Sequence, residues 1–570
     1  MDKKQAARHL EEIAMLLELS GENPFKARSY TTVARRIEQL EEDLETLVRE
    51  KRLREIKGVG DALEQKIEEL VTTGDLGYLN ELRAKFPERL FELFRVPGLG
   101  AKRIKTLYEE LGIASLGELE YACNENRLVG LKGFGPAMQA KLLEGVAYAR
   151  RHEGLFHAHR ARRAAEAIIA QLREVPGLIR IETAGSLRRW KEVVKDVDIV
   201  ASCENPEALM QRFVELEDVE QVTGRGSTKS SVTLRSGLAA DLRVVRDEQF
   251  PFALAHFTGS KDHNVAMRQR AKGRGRKLNE YGLFEGDALV PCADEAALFA
   301  ALDLPFIPPE MREDMGELDL DRTPRLVERD DLIGVFHCHT TASDGGASLE
   351  QMAEAARERG YAYLLIADHS QSAAYAGGLT LEDIEKQHAA IDALNAGYGG
   401  FRVLKGIESD IRSDGALDYD DDVLATFDLV IASVHSRLNM NERDATERVL
   451  RAVTHPATVI LGHPTGRLLL SREGYPLDWD RIFAACVEHR TALEINANPH
   501  RLDLDWRLVR RARDHGVMLC IGPDAHDTAG LDDVQYGLGV ARKGWLGPEH
   551  LLNCLDLDAL LAWKRGGADA

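Results

Sequence analysis

Six short clusters of histidine and carboxylate residues lie between residues 336 and 527 of this 570-residue chain. They supply eight candidate metal ligands, and a ninth, His435, lies between the fourth and the fifth cluster. The nine candidates are His337, His339, Asp344, His369, Glu408, His435, His463, Asp524 and His526. Imidazole nitrogen combined with carboxylate oxygen suits Zn²⁺, Mn²⁺ or Fe²⁺. The clusters therefore predict a site for transition-metal ions.

Several of these clusters end a short apolar run, such as residues 363–366 or 459–461. Such runs predict strands, so the ligands lie where strands end and loops begin, which is the catalytic rim of an α/β barrel. His337 and His339 are two residues apart on one strand and point to the same side. Any one cluster alone would be an ordinary structural feature, but six clusters in one order are not expected by chance.

A second candidate site contains only carboxylates. Asp196 and Asp198 are two residues apart on a predicted strand and share one face, while Val197 and Ile199 enter the core. Both carboxylates can therefore bind the same hard cation, and Asp241 on a later strand supplies a third acid. Two Mg²⁺ ions held in this way activate an attacking hydroxyl and neutralise a leaving pyrophosphate. A lone Asp-x-Asp pair arises by accident in many strands.

The residues before this acidic pair predict a phosphate-binding loop. Gly185 and Ser186 can offer backbone amides and a hydroxyl to a triphosphate, and Arg189 can neutralise its charge. Residues 185–189 are called the phosphate loop below. Its position beside the acids favours a metal-dependent phosphoryl site over an accidental Asp-x-Asp.

An internal repeat occurs in the helical first third of the chain. Three segments have the form apolar-x-Gly-apolar-Gly, with their glycines at Gly58 and Gly60, Gly98 and Gly100, and Gly133 and Gly135. The glycines let the backbone turn tightly and approach a phosphate, and the following helix offers unpaired amides. One such turn can simply join two helices. Three copies followed by lysines such as Lys102 favour sequence-independent binding to a DNA backbone.

Composition sets limits on the class of protein. The net charge of −20 argues against a nucleic-acid partner, but basic residues cluster at 160–163, 188–189 and 272–277. Seven cysteines without a Cys-x-x-Cys pair indicate reduced thiols. No apolar run suits an export signal or a membrane span. We therefore expect a cytoplasmic protein of about three to five modules with no membrane partner.

The barrel-rim clusters resemble the PHP (polymerase and histidinol phosphatase) family over residues 332–570. The stretch from Thr183 to Ala201, together with His256-Phe257-Thr258-Gly259-Ser260, resembles the nucleotidyltransferase palm and thumb of family X DNA polymerases, the polymerase-beta-like group. The whole chain is thus similar to prokaryotic family X DNA polymerases with a C-terminal PHP domain.

This resemblance implies a multidomain fold. Its parts are an all-α helix-hairpin-helix N-terminal part, an α+β nucleotidyltransferase palm and thumb, and a C-terminal distorted β/α barrel. The expected domains are an N-terminal helical, lyase-like DNA-binding domain (1–80), helix-hairpin-helix fingers (81–152), the palm (153–254), the thumb (255–310), a linker (311–331) and the PHP domain (332–570). Proline and charge in residues 305–331 predict a hinge between the two halves.

The resemblance also assigns roles to residues. Asp196, Asp198 and Asp241 become the palm acids that bind Mg²⁺ or Mn²⁺, and Gly185, Ser186 and Arg189 hold the triphosphate. Phe257, Gly259 and Asn264 line the sugar and base, and Arg268 approaches the template strand. The nine barrel residues hold up to three ions.

The chain departs from the polymerase-beta pattern at three positions. His256 replaces a tyrosine, which leaves discrimination against ribonucleotides open, and Trp190 replaces the glycine after the paired arginines. Lys261 stands where an acid is typical, and it either binds the triphosphate or faces solvent.

Lys66 aligns with the lysine that forms a Schiff base with an abasic sugar in the polymerase-beta group. Such a nucleophile must be a neutral amine, and the neighbouring Glu64 and Glu69 oppose this. The alternative is a solvated or phosphate-contacting helix lysine.

We therefore expect a repair polymerase that fills short gaps in DNA and a metal-dependent 3′–5′ exonuclease in the barrel. Abasic-site endonuclease and 3′-phosphatase activities are further options for the barrel. The expected partners are gapped or nicked DNA and deoxynucleoside triphosphates, and the expected state is a monomer. The alternative is a DNA-binding scaffold with an inactive palm and a barrel that hydrolyses a small phosphate ester. The three intact acids oppose an inactive palm, and the three hairpins oppose a free small-molecule substrate.

Overall fold

The structure is a computed structural model that describes residues 3–38, 40, 42–124, 127–129, 131–151 and 154–564. It divides into two compact units, residues 1–153 and 154–570. The expected domain boundary after residue 152 and the last residues of the expected PHP domain lie outside the described part. The finer division into six segments stays a prediction.

The first unit contains eight α-helices in its described residues. They are α1 (Lys3–Leu19), α2 (Pro24–Glu38), α3 (Leu44–Arg49), α4 (Asp61–Thr73), α5 (Gly77–Arg83), α6 (Ala101–Leu111), α7 (Leu116–Asn124) and α8 (Pro136–Arg151). Each predicted Gly-x-Gly turn lies directly before a helix, namely α4, α6 or α8. The first glycine of each turn, Gly58, Gly98 or Gly133, has a positive φ, which glycine adopts without steric cost. The all-α prediction is confirmed.

The second unit begins with β1 (Phe156–His157), α9 (Ala158–Leu172), β2 (Leu178–Thr183), α10 (Gly185–Arg188), β3 (Val193–Val194), β4 (Asp196–Cys203), α11 (Pro206–Val214), β5 (Val219–Arg225), β6 (Lys229–Leu234) and β7 (Ala239–Val245). Strands β1 and β3 form a two-stranded sheet, and the other five strands form a sheet in the order β2-β4-β7-β6-β5. Strands β4 and β7 pair in parallel, whereas the other neighbours in this sheet are antiparallel. The alternating pattern buries Val197 and Ile199, as the sequence predicts.

Three helices and a small antiparallel sheet follow. These are α12 (Phe250–Thr258), α13 (Lys261–Gly273), β8 (Arg276–Asn279), β9 (Gly282–Glu285), β10 (Ala288–Leu289) and α14 (Glu295–Ala300). Helix α13 begins after Ser260, whose hydroxyl accepts a hydrogen bond from the His263 amide. This region corresponds to the predicted thumb.

The C-terminal part is a nearly closed barrel of seven parallel strands in sequence order. Its elements are β11 (Gly334–Cys338), α15 (Leu349–Glu358), β12 (Tyr363–Ile366), α16 (Leu381–Gly397), β13 (Arg402–Asp410), α17 (Asp421–Leu424), β14 (Leu429–Ser433), α18 (Glu442–Val453), β15 (Thr458–Leu461), α19 (Trp479–His489), β16 (Ala492–Asn496), α20 (Trp506–Asp514), β17 (Leu519–Gly522), α21 (Val534–Lys543) and α22 (Leu557–Lys564). The first and last strands meet through a bridge between Cys338 and Ala525. The predicted distorted β/α barrel is confirmed.

The predicted hinge at residues 305–331 is wrong. Arg312 and Glu317 are fully buried, and Val327 donates its amide to the carbonyl of Leu546 in the barrel. Because charged side chains in this segment find partners inside the unit, its charge content does not indicate a solvated linker. Proline and charge alone could not distinguish these cases.

All seven cysteines lie in the described part of the chain and form no disulfide there. None of the helices in the described residues combines the length and the apolar character needed to span a membrane.

Candidate active sites

The nine predicted barrel ligands lie at one rim because parallel strands end on the same side of a barrel. His337 lies in β11 and Glu408 in β13. The ligands that follow strand ends are His339 after β11, His369 after β12, His435 after β14, His463 after β15, and Asp524 and His526 after β17. Asp344 lies in the loop after β11. His337, His463 and Asp524 have positive φ angles, a conformation that costs a non-glycine residue on the order of 1–3 kcal/mol and is often found at functional sites.

These side chains form four overlapping groups whose ligand atoms lie within 4.8 Å of one another. The groups are His339-Asp344-His369-His526, His337-Glu408-His463, His337-His339-Asp524 and His369-Glu408-His435. Together they contain all nine predicted residues. Because His337, His339, His369 and Glu408 each belong to two groups, the site can hold several ions close together.

The buried polar atoms of this site fit metal ions. Nε2 of His337, both ring nitrogens of His339 and Oε2 of Glu408 are buried and make no well-aligned hydrogen bond among the described residues, although Nδ1 of His369 lies 2.9 Å from Oε2 of Glu408 and Oδ1 of Asp524 lies 3.2 Å from Nε2 of His339. Buried polar atoms in proteins are nearly always paired, so a group of unpaired ones needs an explanation. Cations bound between them would provide the missing partners.

Electrostatic balance keeps the barrel carboxylates ionised. Burial alone would raise the pKa of Glu408, but the nearby charges of His435, His337 and His369 outweigh it and hold this pKa well below the ordinary value. The pKa of Asp524 is lowered in the same way, mainly by His337 and His339 against the effect of burial. Conversely, burial lowers the pKa of His435, but Glu408 and Asp410 outweigh it and raise the value to about 9. The carboxylates are therefore ionised, as a metal ligand requires, whereas His435 must lose its proton to bind a metal.

Two carboxylates that sequence reasoning missed hold the ligands in place. Glu494 in β16 is fully buried; its Oε1 lies 2.5 Å from Nδ1 of His337, and its Oε2 accepts a hydrogen bond from the His463 amide. Asp410 binds Nδ1 of His435 through its Oδ1. Carboxylates that hydrogen-bond the second nitrogen of a histidine fix the ring orientation and raise its basicity as a ligand. The available signal for Glu494 was a lone acid inside the apolar run of β16.

The palm acids lie on adjacent parallel strands. Asp198 of β4 pairs in register with Asp241 of β7, and Asp196 lies on the same face. Burial, followed by the charges of Asp196 and Asp241, raises the pKa of Asp198 to about 6. Nζ of Lys229 on β6 lies 2.6 Å from Oδ2 of Asp241. In the described residues these three acids do not form a group as tight as those of the barrel.

The phosphate loop packs directly against these acids. A Cβ added at Gly185 would lie 2.3 Å from Oδ2 of Asp198, and Gly185 has a φ of +63°, so only glycine fits here. Ser186 is half-buried at the start of the short helix α10. Arg189 is engaged by the chain itself: Nε donates to Oε1 of Glu313 at 3.1 Å, and Nη1 donates to the Thr258 carbonyl at 2.5 Å.

The predicted sugar- and base-facing residues lie around the junction of α12 and α13. The Arg243 guanidinium lies 4.1 Å from the Phe257 ring centre, and Nδ2 of Asn264 donates to the His256 carbonyl at 2.7 Å. Gly259 has a φ of +71° and lies against Arg189. Lys261 is exposed at the start of α13. Arg268 is exposed too, and it lines a small cavity together with His256 and Asn264.

The hairpin turns of the first unit have exposed backbones. A Cβ added at Gly98, Gly100, Gly133 or Gly135 would meet no atom within 4 Å, whereas one at Gly58 would lie 3.1 Å from Nη1 of Arg36. Lys102 is exposed on α6, directly after the second turn. The placement of these turns leaves their amides accessible to a phosphate backbone.

Lys66 is half-buried on α4, where its Nζ donates to the Ala62 carbonyl and lies 4.7 Å from the centre of the Tyr78 ring. The two acids expected to oppose a neutral amine are both engaged elsewhere. Glu64 pairs with Arg54 at 2.6 Å, and Glu69 accepts a hydrogen bond from the Gly77 amide.

Comparison with protein families matches four segments of the chain. They are a helix-hairpin-helix domain (residues 1–76), a SAM-like helix-hairpin-helix tandem (90–146), the DNA polymerase beta thumb (253–313) and the PHP domain (336–498). Their order is the one that the motifs predict.

One curated relative aligns with nearly the whole chain, and others align with about a third of it. The chain is 41% identical over 570 residues to the DNA polymerase/3′-5′ exonuclease PolX of Bacillus subtilis (strain 168), an alignment that covers 99% of this chain and all of that protein. A probable phosphatase of Thermoanaerobacter sp. (strain X514) is 25% identical over 232 residues, which are 38% of this chain and 90% of the relative. A probable phosphatase of Shewanella piezotolerans is 26% identical over 227 residues, 38% of this chain and 87% of the relative. Full-length identity, the matched domains and the barrel together establish that the chain belongs to the prokaryotic family X DNA polymerases, the polymerase-beta-like group, with a C-terminal PHP domain.

Proposed function

We propose that this protein is a DNA polymerase that fills short gaps during DNA repair and that its barrel is a metal-dependent 3′–5′ exonuclease. The observation that carries the proposal is the in-register pairing of Asp198 with Asp241 beside Asp196 and the phosphate loop, because this is the arrangement that nucleotidyl transfer requires. The full-length relative from Bacillus subtilis, named a DNA polymerase and 3′-5′ exonuclease, supports it.

In the palm, the three acids would hold Mg²⁺ or Mn²⁺ at the edge where β4 and β7 run side by side. In the barrel, the nine ligands would hold up to three ions of Mn²⁺, Zn²⁺ or Fe²⁺. When bound, such ions neutralise phosphate charge and acidify the attacking hydroxyl or water.

The other residues of the palm bind and orient the nucleotide. The amide of Gly185 and the hydroxyl of Ser186 offer hydrogen bonds to a triphosphate, and the Arg189 guanidinium offsets its charge. Phe257, Gly259 and Asn264 would line the sugar and base. Lys261 is exposed at the N-terminal end of α13, where its ammonium can reach solvent or phosphate.

In the barrel, Glu494 and Asp410 orient His337 and His435. The rim of the barrel would then present a phosphodiester at the 3′ end of a strand to the attacking water. Abasic-site endonuclease and 3′-phosphatase chemistry need the same ligand set and are included in the proposal.

DNA would be held by the three hairpin turns, which offer exposed amides to the backbone, and by Lys102 and Arg268. The proposed partners are gapped or nicked DNA and deoxynucleoside triphosphates. We propose a cytoplasmic monomer.

One assay tests both activities. Purified protein is incubated with a 5′-labelled primer in a gapped duplex, with and without nucleotides, in Mg²⁺ or Mn²⁺. We expect extension across the gap when nucleotides are present and shortening from the 3′ end when they are absent. A protein that neither extends nor shortens the primer in either metal would contradict the proposal.

Lys66 is proposed as a lyase nucleophile on the basis of its alignment alone. Borohydride reduction in the presence of a pre-incised abasic duplex should trap a covalent adduct that Lys66→Ala loses. Lys26→Ala is the matched control because Lys26, on α2, also lies near the Tyr78 ring, with its Nζ 5.6 Å from the ring centre. An adduct of equal yield in Lys66→Ala would move the nucleophile elsewhere.

The second candidate function is a scaffold whose barrel hydrolyses a small phosphate ester. The alignment of the barrel region with proteins named probable phosphatases favours it. Release of phosphate from small esters without shortening of DNA would select this function, and gap filling by the same preparation would exclude an inactive palm.

A further inference from the structure

The last residue of barrel helix α21, Lys543, is fully buried beneath the palm and forms several contacts there. Its Nζ donates to the backbone carbonyls of Arg189 (2.9 Å) and Glu310 (3.3 Å) and to Oε1 of Glu313 (2.5 Å). It also lies 4.7 Å from the centre of the Trp506 ring. A residue of the barrel therefore hydrogen-bonds directly to the phosphate loop.

The carboxylate of Glu313 lies at the centre of the contact between Lys543 and the phosphate loop. Three cations surround it: Lys543, Arg189 with Nε at 3.1 Å, and Lys191 with Nζ at 3.3 Å. Burial would raise the pKa of Glu313, but Lys543 and Arg189 outweigh it and lower the value to about 2. Glu313 is therefore a permanent anion that joins a barrel lysine to the phosphate-loop arginine.

The Arg189 side chain is held in a defined place by this anion. Nη1 donates to the Thr258 carbonyl, and a Cβ added at Gly259 would lie 3.1 Å from the same nitrogen. The guanidinium thus lies against Gly259, one of the residues expected to face the nucleotide. Glu313 and the Thr258 carbonyl use two of its five N–H donors, which restricts a long side chain that is otherwise costly to order.

Trp190, the residue that follows the phosphate loop, packs on helix α21 as well. A Cβ added at Gly539 of α21 would lie 2.0 Å from Cε3 of Trp190, so the indole lies directly on the helix backbone. The Arg162 guanidinium lies 3.8 Å from the centre of this ring. Trp190 has a φ of +56°, a conformation that is unfavourable for a non-glycine residue, so packing on α21 must offset that cost.

We propose that Glu313 and Lys543 are positioning residues for polymerisation, through which the barrel holds Arg189 ready for the triphosphate of the incoming nucleotide. This inference rests on the proposed polymerase function. It makes helix α21 part of the machinery that supports the palm, in addition to its place in the barrel.

Glu313→Gln tests the proposal because glutamine keeps the shape of the side chain and removes its charge. In single-nucleotide gap filling, we expect KM for the nucleotide to rise about 5- to 20-fold while kcat changes less than about threefold, since a misplaced arginine weakens nucleotide binding. Lys543→Met should raise KM in the same direction. Bound metal and 3′-end nuclease of the barrel should be unchanged in both variants.

The matched control is Glu310→Gln. Glu310 pairs with Arg542 at 2.7 Å, so this variant removes an ion pair between the same segment and the same helix without touching Arg189. A double-mutant comparison adds a second criterion: in an Arg189→Ala background, Glu313→Gln should have no further effect on KM.

An unchanged or lowered KM in Glu313→Gln overturns the proposal, as does an effect that persists without Arg189. A parallel loss of nuclease and polymerase activity also overturns it, because it would show a purely structural contact. Absence of gap filling in the wild type would instead defeat the proposed function.

Discussion

In the two candidate sites of this chain, the pKa values of the buried carboxylates are shifted in opposite directions. In the barrel, Glu408 is 1% exposed and surrounded by histidines that lower its pKa. In the palm, Asp198 faces two other acids, and burial together with their charges raises its pKa to about 6. Lys229, which pairs with Asp241, has a side chain that is 39% exposed.

This difference indicates how each site would acquire its ions. The barrel ligands lie in groups whose atoms are within 4.8 Å of one another, and Glu494 and Asp410 orient two of the histidines, so the site is preorganised to bind metal ions. The palm acids repel one another until a cation arrives.

The largest expected effect breaks the palm alone. Asp198→Ala should reduce gap filling by about 10³-fold or more. The variant loses the carboxylate that lies beside both Asp196 and Asp241, and a bound ion should be lost with it. The 3′-end nuclease should keep its rate. Primer extension and shortening on the same gapped duplex measure both, and Asp218→Ala, an exposed acid of the same region, is the control.

Full-rate extension by Asp198→Ala would defeat the palm assignment. Loss of the nuclease activity in this variant would show that the barrel site depends on the palm site.

The complementary change breaks the barrel alone. His339→Ala or Asp524→Ala should remove bound transition metal and the 3′-end nuclease together, because each residue contributes to one or more of the ligand groups. Gap filling should survive. Metal analysis is run beside both activities, with His489→Ala, an exposed histidine at the end of α19, as the control. A variant that retains both metal and nuclease would show that the barrel assignment is wrong.

Most residues of both sites could be predicted from the sequence, for a different reason in each site. The barrel ligands could be predicted because they lie at or after the carboxyl ends of strands, and parallel strands bring these ends together. The palm pair could be predicted because alternation fixes which side chains share a face. Neither rule identifies a partner that lies far away in the chain.

Three findings lay beyond those rules. Glu494 contacts His337 across 157 residues, and Glu313 contacts Arg189 across 124 residues, so neither contact leaves a local pattern. The segment at 305–331 carries charges that suggest solvent, yet Arg312 pairs in the interior with Glu295 at 2.5 Å. Local composition cannot report such long-range pairing, and this is why the hinge prediction failed.

A smaller effect sharpens the claim that the barrel is preorganised. Glu494→Gln should lower metal affinity about 10- to 100-fold without changing the ligands themselves, because the amide is a weaker acceptor for the His337 ring. Metal titration with nuclease activity as a second readout measures it, and Glu488→Gln, an exposed acid of the same barrel, is the control. Equal affinities in Glu494→Gln and wild type would mean that the ligands are held by the strands alone.

The smallest expected effect concerns the unbalanced charge of the palm. The folded-state pKa of Asp198, about 6, lies above its ordinary value of 3.8, so folding disfavours the ionised form. The penalty is complete above pH 6 and fades as the pH falls towards 3.8, because the folded protein then carries the proton. With divalent ions withheld, Asp198→Asn should therefore stabilise the protein at pH 7.5, by at most about 3 kcal/mol, and progressively less between pH 6 and pH 4. Thermal unfolding at several pH values measures this. A stabilisation that does not depend on pH would come from packing rather than charge. It would contradict the conclusion that the carboxylates of the two sites have oppositely shifted pKa values.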